Sequence, residues 1–300
     1  MAKILVTGAA GLIGREVFKK LSLDNDVVGV DNNFRYRDQK PAEQGIIEKD
    51  LSEFIAGLKN DFNYIFHLAA VNGTSNFYET PNYVLKNNIL TDISIFDFAK
   101  SNQECKLIYA SSSEVISDTD VHPTPEITDV AINDIHNPRW SYRLGKIVSE
   151  NYLLNSDIEF LIIRFFNVYG RNSGKGHFIR DIIDKINIDD FSLIGADETR
   201  SFCYIDDAVN ALLQIYRDQK NEVLNIGNDQ EITILEAANI ILEVLGKKGI
   251  EWKIVESRRG SVKRRCPDIS KLKKLYETYH PRSFSEGVEN ILSFIKEQKN

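Results

Sequence analysis

The stretch "VTGAAGLIGR", residues 6–15, places three glycines directly after an apolar run. That run predicts a buried strand, and "GLIGREVFKKLSL" (11–23) has the apolar spacing of an amphipathic helix. A helix N-terminus carries unpaired N–H groups and a partial positive charge, which suit a pyrophosphate. We therefore predict a dinucleotide-binding turn, in which Gly8 permits the turn, Gly11 admits the phosphates and Gly14 lets the helix pack closely. A purely structural turn is the alternative that the glycines alone leave open.

An acidic residue at the end of the next strand-like run, "DVVGVD" (26–31), indicates which dinucleotide binds. Asp31 has the position at which a carboxylate bonds the adenosine ribose hydroxyls. Because a carboxylate repels a 2′-phosphate, NAD is predicted. NADP stays the less favoured alternative, since Arg35 and Arg37 lie nearby.

The first half of the chain alternates strand-like and helical segments, which predicts βαβ units and a parallel sheet covered on both faces. The strand-like runs are "KILVTG" (3–8), "DVVGVD" (26–31), "FNYIFHLAA" (62–70), "CKLIYASSS" (105–113) and "FLIIRFFNVYG" (160–170). After residue 170 the pattern loosens into short strands mixed with helices, which predicts a smaller α/β cap beside the main sheet.

Composition and charge exclude several classes of function. The formal net charge of −7 argues against a nucleic-acid surface, since binding a phosphate backbone requires a basic face. No apolar run is long enough to cross a bilayer. The three cysteines are scattered, which predicts a reducing cytoplasm, and neither they nor the histidines have metal-ligand spacing, so no metal site is predicted.

A tyrosine and a lysine in "YRLGK" are spaced to project from one face of a predicted helix. Tyr142 and Lys146 are four residues apart, so the ammonium can lower the pKa of the phenol and make it a usable proton acceptor. Such a pair often arises by chance. Its combination with the glycine turn and with "YASSSEV" (109–115), at a predicted strand end, favours a catalytic interpretation.

Together these motifs resemble the extended short-chain dehydrogenase/reductase family, and within it the nucleotide-sugar epimerases, dehydratases and decarboxylases. Further matching stretches cover nearly the whole chain, among them "HLAA" (67–70), "NILTDISIFDFAK" (88–100), "PRWSYRLGK" (138–146), "RFFNVYG" (164–170), "TRSFCYIDDAVNAL" (199–212), "NIGN" (225–228) and "RRCPDISK" (264–271). The resemblance implies an α/β fold, a Rossmann-type doubly wound parallel sheet with a smaller C-terminal α/β substrate-binding cap. It implies an NAD-binding domain over residues 1–170, to which later segments can return, and a mainly nucleotide-sugar-binding cap over residues 171–300.

The resemblance also implies catalytic roles. Tyr142 is expected to take the proton from a sugar hydroxyl, usually at C4, with Lys146 as its helper. Ser112 is expected to hydrogen-bond that hydroxyl, although Ser111 or Ser113 could do so instead. A carboxylate at Glu114 could remove the C5 proton once C4 is a ketone, which tilts the expectation towards a lyase; an ordinary polar residue at a strand end is the alternative.

Binding residues follow from the same resemblance. The residues expected at the cofactor are Gly8, Gly11, Leu12, Ile13, Gly14, Asp31, Asn32, Asp50, Leu51, Leu68, Ala69, Ala70, Asn88, Tyr142 and Lys146. Asp50 could equally cap a helix, and Asn88 is expected to order water or the lysine. The residues expected at the nucleotide sugar are Ser112, Ser113, Asn167, Arg200 and Arg258. The basic cluster "RRGSVKRR" (258–265) would then face a diphosphate, unless it is a solvated loop.

The predicted function is that of an NAD-dependent nucleotide-sugar epimerase or 4,6-dehydratase, acting through transient oxidation of the sugar at C4. A UDP-glucuronate decarboxylase-like enzyme is the second hypothesis. A dehydrogenase that releases a keto sugar, and a catalytically inactive regulatory protein that binds the same ligands, are the remaining alternatives. The resemblance implies a homodimer formed through two helices per subunit, here 82–100 and 139–154.

Overall fold

The computed structural model describes residues 1–34, 45–116, 119–130, 134–174 and 176–297. Its strands, in chain order, are β1 Lys3–Thr7, β2 Asp26–Asp31, β3 Ile46–Glu48, β4 Tyr64–His67, β5 Lys106–Ser112, β6 Phe160–Phe165, β7 Val168–Tyr169, β8 Ser192–Ile194, β9 Thr199–Ser201, β10 Cys203–Tyr204, β11 Glu222–Ile226, β12 Glu231–Thr233, β13 Lys253–Val255 and β14 Arg264–Arg265. Its α-helices are α1 Leu12–Leu21, α2 Leu51–Ile55, α3 Thr74–Glu79, α4 Pro81–Lys100, α5 Trp140–Leu154, α6 Phe178–Asn187, α7 Ile205–Ile215, α8 Ile234–Val244, α9 Ser270–Leu275 and α10 Phe284–Glu297.

The chain forms two compact units with interleaved ranges. The first comprises Met1–Val115, Pro138–Arg164 and Leu212–Leu224. The second comprises Ile116–Asn137, Phe165–Ala211 and Asn225–Asn300. Which unit binds which ligand stays a prediction at this point.

A seven-stranded sheet organises the first unit. Its strand order is β11-β6-β5-β4-β1-β2-β3, and β1 pairs in parallel with both β2 and β4. This arrangement confirms the doubly wound, Rossmann-type parallel sheet that the alternating pattern predicted. The strand order reverses between β1 and β4, and ligands of such sheets bind outside the carboxyl ends of the strands at that reversal.

The second unit contains smaller sheets. They are the pairs β7–β10 and β8–β13 and the three-stranded sheet β12-β9-β14. The single strand predicted over 160–170 is wrong, because β6 ends at Phe165 and β7 begins at Val168. Asn167, between them, has a backbone φ of 41°, a left-handed conformation that a regular strand does not contain.

Burial on both faces of the sheet explains why the strands of the first unit are continuous apolar runs in the sequence. Ile4, Leu5 and Val6 of β1 are fully buried, and Ile65 and Leu107 on the neighbouring strands are buried too. A parallel sheet covered on both faces buries successive side chains, so the alternation of polar and apolar residues is lost.

The glycine turn brings backbone against backbone. Gly8 has a φ of +68°, and the N–H of Gly11 donates to the carbonyl of Gly8 over 2.9 Å. A Cβ added to Gly8 would lie 2.6 Å from the backbone nitrogen of Ala69. A Cβ added to Gly14 would lie 2.0 Å from the carbonyl oxygen of Gly8. The close approach of helix and strand predicted from Gly14 is therefore confirmed by the geometry.

Within the described ranges, no helix is both long and apolar enough to span a membrane.

Replacing Gly14 by alanine tests the packing of α1 on β1. The new methyl would collide with backbone, so we expect Gly14→Ala to lower the free energy of unfolding by about 1–3 kcal/mol in urea denaturation. Gly145 is a matched control in a helix, because its Cβ would meet no atom closer than 3.8 Å. Gly145→Ala should leave stability unchanged or raise it by up to about 1 kcal/mol. Equal midpoints for the two variants would contradict the close approach.

Candidate active site

The three consecutive serines at the end of β5 differ in their contacts. Ser111 is buried and donates to a carboxylate oxygen of Glu150. Ser113 is also buried. Ser112 is only half-buried, and its hydroxyl oxygen accepts the N–H of Glu114 over 3.1 Å. Of the three, Ser112 is the least buried, which favours the predicted assignment.

Tyr142 lies in the first turn of α5. The side chain is 5% exposed, and its ring stacks on that of Phe77 in α3 with 5.0 Å between centroids. An aromatic stack of this kind fixes the plane of the phenol ring. Tyr142 and Lys146 share the helix, as the sequence predicted.

Lys146 is a buried cation. Its side chain is 2% exposed, Nζ donates to the hydroxyl of Tyr109 over 2.9 Å, and an oxygen of Asp92 lies 3.7 Å away. Burial lowers the pKa of Lys146, while the Asp92 carboxylate opposes that shift. A lysine in this setting stays charged only if a carboxylate compensates it.

Asp92 is the centre of a buried polar cluster that the sequence analysis missed. Its carboxylate accepts hydrogen bonds from His67 (2.8 Å), Tyr109 (2.6 Å) and Ser149 (2.7 Å). Burial would raise the pKa of Asp92, but the charge of Lys146 and the bond from His67 outweigh it and lower that pKa to about 2. The sequence does contain a signal for this cluster, because Asp92 is an acidic residue in a largely apolar helical segment, one turn after Asn88.

Glu114 follows the serines and is held by arginines. Arg139 reaches its two oxygens at 2.8 and 3.4 Å, and Arg143 approaches within 3.9 Å. The guanidinium of Arg143 also lies 4.2 Å from the ring of Trp140. The Glu114 carboxylate raises the pKa of Arg139 above its usual range. Proton acceptance by Glu114 would therefore compete with an ion pair.

Asn88 is engaged with the loop after β4. Its amide donates to the carbonyl of Val71 over 3.0 Å and accepts the N–H of Val71 over 2.7 Å. The asparagine is buried on α4. Its contacts place it behind that loop, and the predicted contact with the cofactor stays a prediction.

The predicted dinucleotide residues of the glycine turn, of α1 and of the segment after β4 lie at the reversal between β1 and β4. Leu12 and Ile13 open α1, and Leu68, Ala69 and Ala70 follow β4 directly, with the Leu68 N–H bonded to the Thr7 carbonyl at 3.2 Å. A Cβ at Gly11 would lie 3.1 Å from the Gly8 carbonyl oxygen. The turn is therefore formed by backbone atoms, without side chains between them and a ligand. This geometry fits a dinucleotide pyrophosphate.

The acids at the end of β2 and after β3 form hydrogen bonds within the protein. Asp31 accepts the N–H groups of Ala10 (3.0 Å) and Asn33 (2.7 Å), which ties the end of β2 to the glycine turn. Asn32 donates to Asp50 over 2.8 Å. Asp50 precedes α2, whose first residue is Leu51, but its side chain makes no capping hydrogen bond there. Arg35 and Arg37 lie outside the described residues.

The residues predicted to hold the nucleotide sugar in the second unit have protein partners. Asn167 donates to the carbonyl of Ser201 over 2.9 Å. Arg200 bonds Glu198 (2.7 Å) and Ser261 (3.3 Å), whereas Arg258 is exposed.

The basic cluster at 258–265 is partly neutralised. Arg259 pairs with Asp134, Arg264 pairs with Glu231, and Arg265 is buried. The contact of this cluster with a diphosphate stays a prediction, for which the exposed Arg258 is the candidate residue.

Comparison with known proteins gives the class. The NAD dependent epimerase/dehydratase family matches residues 4–227, and the chain belongs to that family. It is therefore an enzyme of the NAD-dependent extended short-chain dehydrogenase/reductase kind, with NAD as its cofactor.

Individual relatives differ in reaction. The chain is 32% identical over 311 residues to a putative UDP-glucose 4-epimerase of Methanocaldococcus jannaschii, covering 98% of each. It is 31% identical over 289 residues to UDP-glucuronic acid decarboxylase 6 of Arabidopsis thaliana, covering 91% of this chain and 82% of that one. The structure resembles UDP-glucuronic acid 4-epimerase of Bacillus cereus, solved with UDP-glucuronic acid and NAD, with a TM-score of 0.80, 27% identity and 99% coverage of each chain.

Removing the side chain of Asn88 tests how the loop after β4 is held. We expect Asn88→Ala to lower the free energy of unfolding by about 2 kcal/mol, because the Val71 N–H and C=O would lose their partners inside the protein. The variant should also retain less NAD through purification. Asn87→Ala, at the adjacent half-buried asparagine, is the control and should match the wild type in urea denaturation and NAD content. Wild-type values for both variants would show that the loop does not depend on Asn88.

Proposed function

We propose that this protein is a nucleotide-sugar 4-epimerase that works through transient oxidation of the sugar at C4. The observation that carries the proposal is the pair of Tyr142 and the buried Lys146 on one helix, in the unit that contains the glycine turn. The reactions named for the relatives support a nucleotide sugar as the substrate class.

Each residue then has a defined task. Tyr142 accepts the proton of the C4 hydroxyl, and the positive charge of Lys146 lowers the cost of forming the phenolate. The hydroxyl of Ser112 bonds the same sugar oxygen and orients it. NAD, held at the glycine turn, would supply the acceptor for the hydride of C4 and would return that hydride to the opposite face of the ketone, which inverts the configuration at C4. In an epimerase Tyr142 afterwards gives the proton back to the re-formed hydroxyl.

Contacts of Glu114 favour epimerisation over dehydration. Dehydration requires a base for the C5 proton, and Glu114 is the carboxylate next to the serines. The nearest Arg139 nitrogen lies 2.8 Å from it, in a partly buried setting where an ion pair is poorly screened. A base held in this way is weakened, because protonation would break the pair. Epimerisation needs no base at C5.

Decarboxylation is the second candidate, and relatives named as UDP-glucuronic acid decarboxylases support it. In a sugar with a C6 carboxylate, a ketone at C4 activates loss of carbon dioxide, because the electrons left at C5 are taken up as an enolate. This reaction uses the same Tyr142 and Lys146, and it also needs no carboxylate base at C5.

The remaining proposals concern ligands and location. Arg200, Asn167 and Arg258 of the second unit are proposed to bind the nucleotide diphosphate, since guanidinium groups form charge-assisted bonds with phosphate. A cytoplasmic location is proposed because Cys105 and Cys203 are free thiols within the fold.

A homodimer is proposed from the exposed apolar residues of α4 and α5. Leu90 and Val148 are 54% and 45% exposed, and Leu154 is exposed as well. Ile95 and Phe96 of α4 are fully buried, so they belong to the core and not to this surface. Two helices that present apolar side chains together are suited to pairing with a second copy of the chain.

A panel of UDP-, GDP-, dTDP- and CDP-sugars, with and without a C6 carboxylate, tests the reaction by mass and retention time. Epimerisation changes retention without changing mass, while dehydration and decarboxylation each lower the mass. We expect Tyr142→Phe to lower kcat by about 10²–10⁴-fold with NAD still bound, because the proton acceptor is lost. Tyr152→Phe, in the same helix, is the control and should keep wild-type turnover.

Two results would overturn the proposal. Turnover in Tyr142→Phe within a few fold of wild type removes the catalytic assignment. A wild type that binds NAD and nucleotide sugar but converts no sugar of the panel supports the inactive regulatory protein instead.

Charged substitutions on α4 and α5 test the dimer. We expect the double variant Leu90→Glu, Val148→Glu to elute as a monomer in light-scattering chromatography, where the wild type elutes as a dimer, because burying unpaired carboxylates is unfavourable. Leu23→Glu places the same charge at a residue 78% exposed and off this surface, and should stay dimeric. A monomeric wild type would exclude the dimer.

A further inference from the structure

Asp92 takes no part in the proposed chemistry, yet it is fully buried in α4 beside a catalytic residue. A charged carboxylate in the interior is costly unless it is paired and hydrogen-bonded. The groups that pair with and hydrogen-bond to this carboxylate therefore indicate its role.

The hydrogen bonds around Asp92 have a fixed direction. An ionised carboxylate only accepts, so Nε2 of His67 must carry the proton of the 2.8 Å bond to Asp92. Nδ1 of a neutral His67 then accepts from the hydroxyl of Thr7, 2.7 Å away at the end of β1. Tyr109 donates to Asp92 and accepts from Lys146, so its oxygen bridges the two charges.

Among the groups around Lys146, Asp92 is the carboxylate whose negative charge balances the ammonium. Burial lowers the pKa of His67 and raises that of Tyr109, so both side chains are neutral at physiological pH. Glu150, the other carboxylate acting on Lys146, is bonded by Arg164 at 3.0 and 2.7 Å. That second pair balances its own charge.

We propose that Asp92 is a positioning residue that keeps Lys146 as a fixed ammonium ion, so that Lys146 can acidify Tyr142. Among the described residues, Tyr109 is the one hydrogen-bond acceptor of Lys146 Nζ, because Asp92 at 3.7 Å acts through charge. The catalytic consequence rests on the proposed function, whereas the ion pair does not.

The first test follows the titration of Lys146 itself. In full-length protein labelled with [6-¹³C]lysine, the Lys146 signal is assigned by its absence in Lys146→Arg. We expect Asp92→Asn to lower the titration midpoint of Lys146 by about one pH unit or more, since an opposite charge at this distance is removed. The alkaline limb of the kcat profile should move to lower pH by the same amount.

Ser149→Ala is the matched control, because it removes a hydrogen bond to Asp92 over 2.7 Å and no charge. It should leave both the Lys146 midpoint and the alkaline limb in place. An unchanged Lys146 midpoint in Asp92→Asn overturns the proposal, and so does a shift of equal size in Ser149→Ala.

The reciprocal experiment does not depend on the folding of an Asp92 variant. In protein labelled with [4-¹³C]aspartate, one buried carboxylate should titrate about one pH unit or more higher in Lys146→Met than in wild type, because the coupling acts equally on both partners. Absence of any such signal overturns the proposal. If the NMR shifts appear in an enzyme that turns over no sugar, the counter-charge role of Asp92 stands and the proposed function fails.

Discussion

The constraint on which the first unit depends is the contact of backbone with backbone at the glycine turn. Gly8 must leave space for Ala69, and Gly14 must leave space for the carbonyl of Gly8. Only residues without a Cβ satisfy both contacts. They fix where α1 begins relative to β1 and β4, and so they point the first N–H groups of the helix at the reversal of strand order. The proposed pyrophosphate site rests on that contact.

Charge balance decides how the interior of this unit is used. Glu150 is matched by Arg164, and Asp92 is matched by Lys146. Glu114 lies against Arg139 at a partly exposed position, so its charge is also compensated. The carboxylate group thus has three roles: a structural ion pair, the partner of the proposed catalytic cation, and a restrained carboxylate beside the proposed reacting groups. The roles differ because burial and partners differ.

Much of the fold could be read from the sequence, because its signals are local. An apolar run, a glycine turn and a helical period occur within 3–23, and a parallel sheet needs such units in succession. The strand predicted over 160–170 failed where the chain turns at Asn167. The apolar run continues through that turn, and an asparagine in a left-handed conformation leaves little trace in periodicity. The interleaving of the two units depends on contacts distant in sequence and is not visible in any one segment.

The sequence by itself indicated the class of chemistry, because a tyrosine and a lysine that share a helix face occur together with the glycine turn and the serines at a strand end. It also determined the glycine cradle, since only glycine meets that steric demand. Tertiary structure alone decided which charges meet. Asp92, Tyr109 and Lys146 come from α4, β5 and α5, and Glu114 finds Arg139 across 25 residues of chain. The strength of a buried charge depends on the neighbours that folding brings to it, and those neighbours are distant in the chain.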